Sequence, residues 1–162
     1  IFTPSLIIGK MQVSMISSRV IVEGSAPVMS RITCAVTSDT RVDVGSFTDT
    51  AFDTKSTGPK VSFDLSLNCP SASAVSITFD GDAPFGSAVS GLVSNDGSAK
   101  NIAVQLLDSG GVSGVKLAKK YSLGTVTGAK TLKYYARAYR LGTQSVTAGD
   151  IDAFVVFTLD VQ

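Results

Sequence analysis

Gly149-Asp-Ile-Asp-Ala-Phe-Val-Val-Phe-Thr-Leu-Asp-Val-Gln162 closes the chain and decides its class. From Val155 onward the residues alternate: Val155, Phe157, Leu159 and Val161 fall on one side, Val156, Thr158 and Asp160 on the other. Alternation of this kind predicts a β-strand with one buried face. The strand runs to the last residues, so no later strand can cover its second edge. An uncovered edge is an aggregation site unless something pairs with it. The expectation is a segment supplied by another chain.

Working outward, the remainder supports an all-β fold. The 162 residues suffice for one domain with its own core. The hydrophobic fraction of 44% and mean hydropathy of +0.29 argue against disorder. Ser, Thr, Val and Gly are abundant, a composition that favours strands. Net charge is +1, from 14 basic and 13 acidic residues, which offers no electrostatic footprint for nucleic acid or a membrane surface. No apolar run reaches the roughly 18–20 residues of a membrane span. The chain begins at Ile1 rather than Met, so processing and removal of any leader are expected.

Further strands are read at Arg41–Val44, at Val61–Leu67 ending on Cys69, and at Val75–Phe79. Others follow at Ile102–Leu106, Tyr121–Leu123 and Leu132–Tyr139. Arg19–Val22 and Arg31–Val36, on either side of Pro27, read as an interrupted first strand. Residues 80–100, rich in glycine and serine, read as loop. Seven or so short strands fit a sandwich of immunoglobulin type.

Catalytic chemistry is poorly provided for. There is no histidine, hence no Ser-His-Asp or Cys-His arrangement and no imidazole ligand. Cys34 and Cys69 alone cannot build a structural zinc site; they are either a disulfide or two buried thiols. Asp80 and Asp82 lack the spacing of a calcium loop and read as a polar turn. Gly110-Gly111 has no following Lys-Ser/Thr and reads as a hairpin turn. Lys119-Lys120 reads as a solvated edge, and Tyr134, Tyr135 and Tyr139 as packing residues. The expectation is a protein that is not an enzyme and needs no cofactor or metal.

The N-terminal region holds two alternations, one after the other. Ile7, Gly9, Met11, Val13 and Met15 form the first; Val20, Val22, Gly24, Ala26 and Val28 form the second. Both can be strands of the domain's own sheet, or one can pair with another subunit.

Taken together, these residues resemble the subunits of chaperone–usher fimbriae of Gram-negative bacteria, the type 1 and P pilus class. The matching features are Cys34-Ala-Val with Gly45 and Cys69 behind it, and Ser98-Ala-Lys-Asn-Ile-Ala-Val-Gln-Leu106. At the C-terminal side they are Tyr135-Ala-Arg-Ala-Tyr139, Val146-Thr-Ala-Gly149 and the terminal strand. Members carry a glycine fourteen residues from the end, the position of Gly149. They also carry a penultimate tyrosine, where this chain has Val161. The resemblance covers roughly residues 19–162.

What the resemblance implies is an incomplete immunoglobulin-like sandwich lacking its last strand. An acceptor groove runs along Gly149, Val155, Phe157, Leu159 and Val161. A periplasmic chaperone fills the groove first; the N-terminal extension of the next subunit replaces it at the outer-membrane usher. The oxidising compartment implies a Cys34–Cys69 disulfide. The division is residues 1–18 as an extension and 19–162 as the pilin-type domain. The donor strand is Ile7, Gly9, Met11, Val13 and Met15, whose large side chains suit a groove. The rival is Val20, Val22, Gly24, Ala26 and Val28, with Gly24 ten residues before Cys34 and Gly9 twenty-five before it. The implied function is a structural subunit of an extracellular fimbria, polymerising by donor-strand exchange. Its expected partners are neighbouring subunits, chaperone, usher and, for an adhesin, a host receptor. The alternatives are the pilin domain of a tip adhesin, or a free-standing sandwich that binds carbohydrate or protein through its loops.

Overall fold

The structure is a computed structural model. It describes residues 6–20, 34–38, 41–48, 52–53, 55–84 and 89–161, the first of these segments by its backbone. Among the described residues eight strands follow in order: β1 Leu6–Val20, β2 Ala35–Ser38, β3 Arg41–Thr48, β4 Val61–Asp80, β5 Leu92–Ser94, β6 Ile102–Leu107, β7 Lys120–Arg140 and β8 Gly149–Val161.

Two long strands organise the molecule. β4 and β7 pair antiparallel from Val61↔Ala136 to Thr78↔Lys120. The two alternating runs expected on either side of Cys69 are therefore one strand, and so are the two runs of β7. Their inward residues share one phase: Phe63, Leu65, Leu67 and Cys69, then Ser73, Val75, Ile77 and Phe79, are all buried. The ladder breaks between Cys69 and Ser73, where Pro70 has no amide to donate. Opposite this break β7 carries Gly128 (φ 72°), and at a second register shift Gly124 (φ 74°). Both lie in the left-handed region that glycine adopts without cost and that bulges use to bend a strand.

The bend folds the ribbon over itself. Before it, β4 pairs with β2 (Ala35↔Asn68 to Ser38↔Leu65), and the far end of β7 pairs with β6, which in turn pairs with β5. Beyond the bend, β4 pairs with β8 (Val75↔Val161 to Asp80↔Val156). Tyr134 stands in the first half of the ribbon and Phe79 in the second. Their rings meet edge-on at 4.9 Å between centroids, so the two halves face each other across one core. Cys34 and Cys69 are bonded (S–S 2.02 Å), tying the chain just before β2 to β4 at the bend.

Several expectations change. Residues 80–100 are not all loop: Leu92 and Val93 form β5 because they are a buried apolar pair that docks on β6. β3 does not stop before Gly45 but continues through it to Thr48. Of the interrupted first strand expected on either side of Pro27, Arg19 and Val20 end β1, and Ala35 and Val36 begin β2; residues 21–33 lie outside the described residues. The largest correction concerns the edge of β8. It is covered by the chain's own β1, running parallel to it from Ile7↔Gly149 to Val20↔Val161. β1 in turn pairs antiparallel with β3. The molecule is thus an all-β, immunoglobulin-like sandwich. The place of the missing last strand is taken by a strand from the other end of the chain.

Candidate strand-acceptor groove

The groove is built on β8. Val155, Phe157, Leu159 and Val161 are at most 1% exposed, and Ile151 and Ala153 extend the same buried line toward Gly149. Phe157 lies beside Phe79 of β4, with ring centroids 6.2 Å apart. Along its second half β8 is held on one side by β4. Along its first half the residues before β6 do that work. The Asp96 amide donates to the Asp152 carbonyl (2.9 Å), and the Ala99 amide to the Asp150 carbonyl (3.0 Å). Asn95 Oδ1 accepts from the Asp152 amide (2.7 Å) and Ser98 Oγ from the Asp150 amide (2.9 Å). At Gly149 this segment approaches closely. A Cβ there would stand 2.5 Å from Ser98 Oγ and 2.6 Å from the Ala99 nitrogen.

Along the other edge of β8, the candidate groove, β1 pairs in parallel. The register sets Gly9 beside Ile151, Met11 beside Ala153, Val13 beside Val155 and Met15 beside Phe157. A register shift between Met15 and Ser17 passes over Ile16, after which Ser18 stands beside Leu159 and Val20 beside Val161. This one-residue bulge carries β1 on past Met15 as far as Val20. Gly9 has a second neighbour, Gly45 of β3. Of the rival segment, Val20 is the last residue of β1; Val22, Gly24, Ala26 and Val28 lie outside the described residues.

Sequence reasoning overlooked Asp160. Its position on the face opposite Leu159 suggested solvent, yet it is 3% exposed and Lys120 Nζ lies 3.3 Å from its carboxylate. Val156 and Thr158, on the same face, are half-buried. The available signal was an acidic residue in an otherwise apolar strand end, with a lysine pair elsewhere in the chain to answer it. Tyr134, read as packing, is buried between Phe63 and Phe79. Its hydroxyl pKa is pushed up to about 12, chiefly by burial and then by the Asp108 charge and Tyr121. A separate cavity of about 610 Å³ opens between the residues after β6 and both halves of β7, floored by Phe79, Leu132 and Tyr134. It does not include β8. Among the described residues no cluster of His, Cys, Asp or Glu could hold a metal ion.

The fold resembles several solved structures. The P pilus rod subunit PapA superposes with a TM-score of 0.61 at 19% identity, covering 80% of this chain and 99% of that one. A subunit from the structure of a chaperone–usher pilus that explains rod uncoiling gives 0.63 at 20%, covering 88% and 98%. An antigen and type I fimbria protein of Burkholderia pseudomallei gives 0.51 at 15%, covering 99% and 98%. At these identities the likeness is one of fold. A search of curated protein sequences finds no match. The sequence model of the family described as Fimbrial protein matches residues 22–162, which is most of the chain. The chain therefore belongs to the Fimbrial protein family.

Proposed function

We propose that this chain is a structural subunit of a cell-surface fimbria and that it polymerises by passing its N-terminal strand to a neighbour. The observation that carries this reading is the pairing of β1 along the whole of β8. The groove accepts an alternating strand, and the chain owns one. The same strand, released from its own groove, can occupy the identical groove of the next copy. Residues 1–18 are the donor and 19–162 the acceptor domain. Ile7, Met11, Val13 and Met15 supply the apolar contacts, at roughly 1.5–3 kcal/mol for each side chain fully buried. Gly9 stands where Gly45 is its neighbour, a point of close backbone approach.

A groove this apolar needs a cover before assembly. A periplasmic chaperone provides it, an outer-membrane usher exchanges it for the next subunit, and the route is that of a Gram-negative cell. The Cys34–Cys69 bond suits that oxidising compartment. The protein's work is mechanical and adhesive, without catalysis.

The test is polymerisation of the purified chain, followed by native mass measurement. Wild type forms a ladder of multimers. Gly9→Arg folds but stays monomeric, and Gly24→Arg still polymerises. Normal ladders from Gly9→Arg with none from Gly24→Arg assign the donor to the second alternation. Ladders from both variants refute the reading.

A further inference from the structure

Asp160 is the one acidic residue on β8 that is buried, and its position at the groove has a consequence for assembly. A carboxylate withdrawn from water is costly unless cations stand beside it. On the β4 side Lys120 Nζ is 3.3 Å away. On the groove side the neighbouring register position belongs to β1, and the residue there is Arg19. Reaching that register takes the bulge at Ile16. Farther along, Lys10 falls between Asp152 of β8 and Asp43 of β3. The cations of β1 are nine residues apart and the aspartates of β8 eight apart, so the bulge also reconciles the charges.

A strand from a second copy is free of the tether that follows Val20. It can run antiparallel to β8, where hydrogen bonds are straighter and pairing is slightly more stable per residue. It must keep Met11, Val13 and Met15 on the side of Val155, Phe157, Leu159 and Val161, which limits it to slips of two residues. Of these alignments, one pairs Met11 with Leu159, Val13 with Phe157 and Met15 with Val155, and it sets Lys10 beside Asp160. A slip of two in either direction sets Ile8 or Gln12 there instead. We propose that Asp160 is a specificity-determining residue of the groove. It selects an incoming strand with a cation among its apolar residues, and it fixes a second copy's strand in the antiparallel register that places Lys10 at its side. The inference rests on the proposed strand exchange between copies and adds the charge pair that selects its register.

Single-cysteine variants read the register directly. In the proposed alignment Gln12 of one copy is the partner of Thr158 in the next, whereas within one chain Gln12 is the partner of Phe154. Mixtures of Gln12→Cys with Thr158→Cys should give an intermolecular disulfide in the polymer, at least tenfold over Gln12→Cys with Phe154→Cys or with Val156→Cys. Lys10→Glu should slow polymer formation at least tenfold, and Asp160→Asn should spread the Gln12 cross-links over Thr158 and Val156. Polymers cross-linked mainly at Phe154 or Val156 overturn the register, as does Lys10→Glu assembling at the wild-type rate. A wild-type chain that stays monomeric without any cross-link refutes strand exchange itself, which is a different failure.

Discussion

Replacing Phe157 by alanine tests whether β8 is the keystone of the core. The side chain is fully buried, stands beside Phe79 and shares that ring with Tyr134 across the layers. Deleting a buried phenylalanine costs about 3–5 kcal/mol, from lost transfer energy and the cavity left behind. In a domain of this size 1 kcal/mol moves Tm by about 2–4 °C, so the expected loss is about 6–20 °C. Phe154 is the matched control: the same residue type, three positions earlier on the same strand, 46% exposed. Phe154→Ala should lie within about 0.5 kcal/mol of wild type, or about 2 °C. Thermal unfolding followed by circular dichroism, with the disulfide intact, measures both. Equal shifts for the two variants would falsify the assignment of inward and outward faces on β8, and with it the groove.

Two further outcomes follow from the same geometry. Thiol titration of the unfolded, unreduced chain should detect no free thiol, and a Cys34→Ser/Cys69→Ser double variant should lose roughly 3–4 kcal/mol, the loop-closure term for a bridge between residues 35 apart. The Tyr134 hydroxyl binds its proton more tightly folded than unfolded, so its contribution is fully present below pH 10 and is lost as pH rises toward about 12. Absorbance at alkaline pH should show one of the four tyrosines ionising only as the fold melts, and Tyr134→Phe should remove that late step.

The class of fold was legible because apolar residues alternate along the strands, and on β4 and most of β8 burial follows that alternation. The terminal strand, the strand ending at Cys69 and the core strand Ile102–Leu106 all announce themselves by spacing. Continuity was not legible. Pro70 and the surrounding serines look like a terminator, yet a break of three residues in a ladder is only a bend when glycines on the partner strand absorb it. β5 was hidden because two apolar residues make no period. The buried line of β8 was readable from Val155 to Val161. Its charge was not, since Asp160 is buried by strands distant in sequence. Nor was the identity of the covering strand, because parallel pairing between opposite ends of a chain leaves no local signature.

The folded ribbon of β4 and β7 bears on how slowly this protein is born. Neither layer exists until Val61 has found Ala136 and Thr78 has found Lys120, partners far apart in sequence. Chains ruled by such distant pairings close late, because loop entropy is spent before contacts return it. Because the same two strands run through both layers, there is no smaller unit that could fold first and shelter the rest. β8 has a row of apolar residues to hide, Val155, Phe157, Leu159 and Val161. The interval during which that row is bare is therefore set by the slowest of these distant pairings.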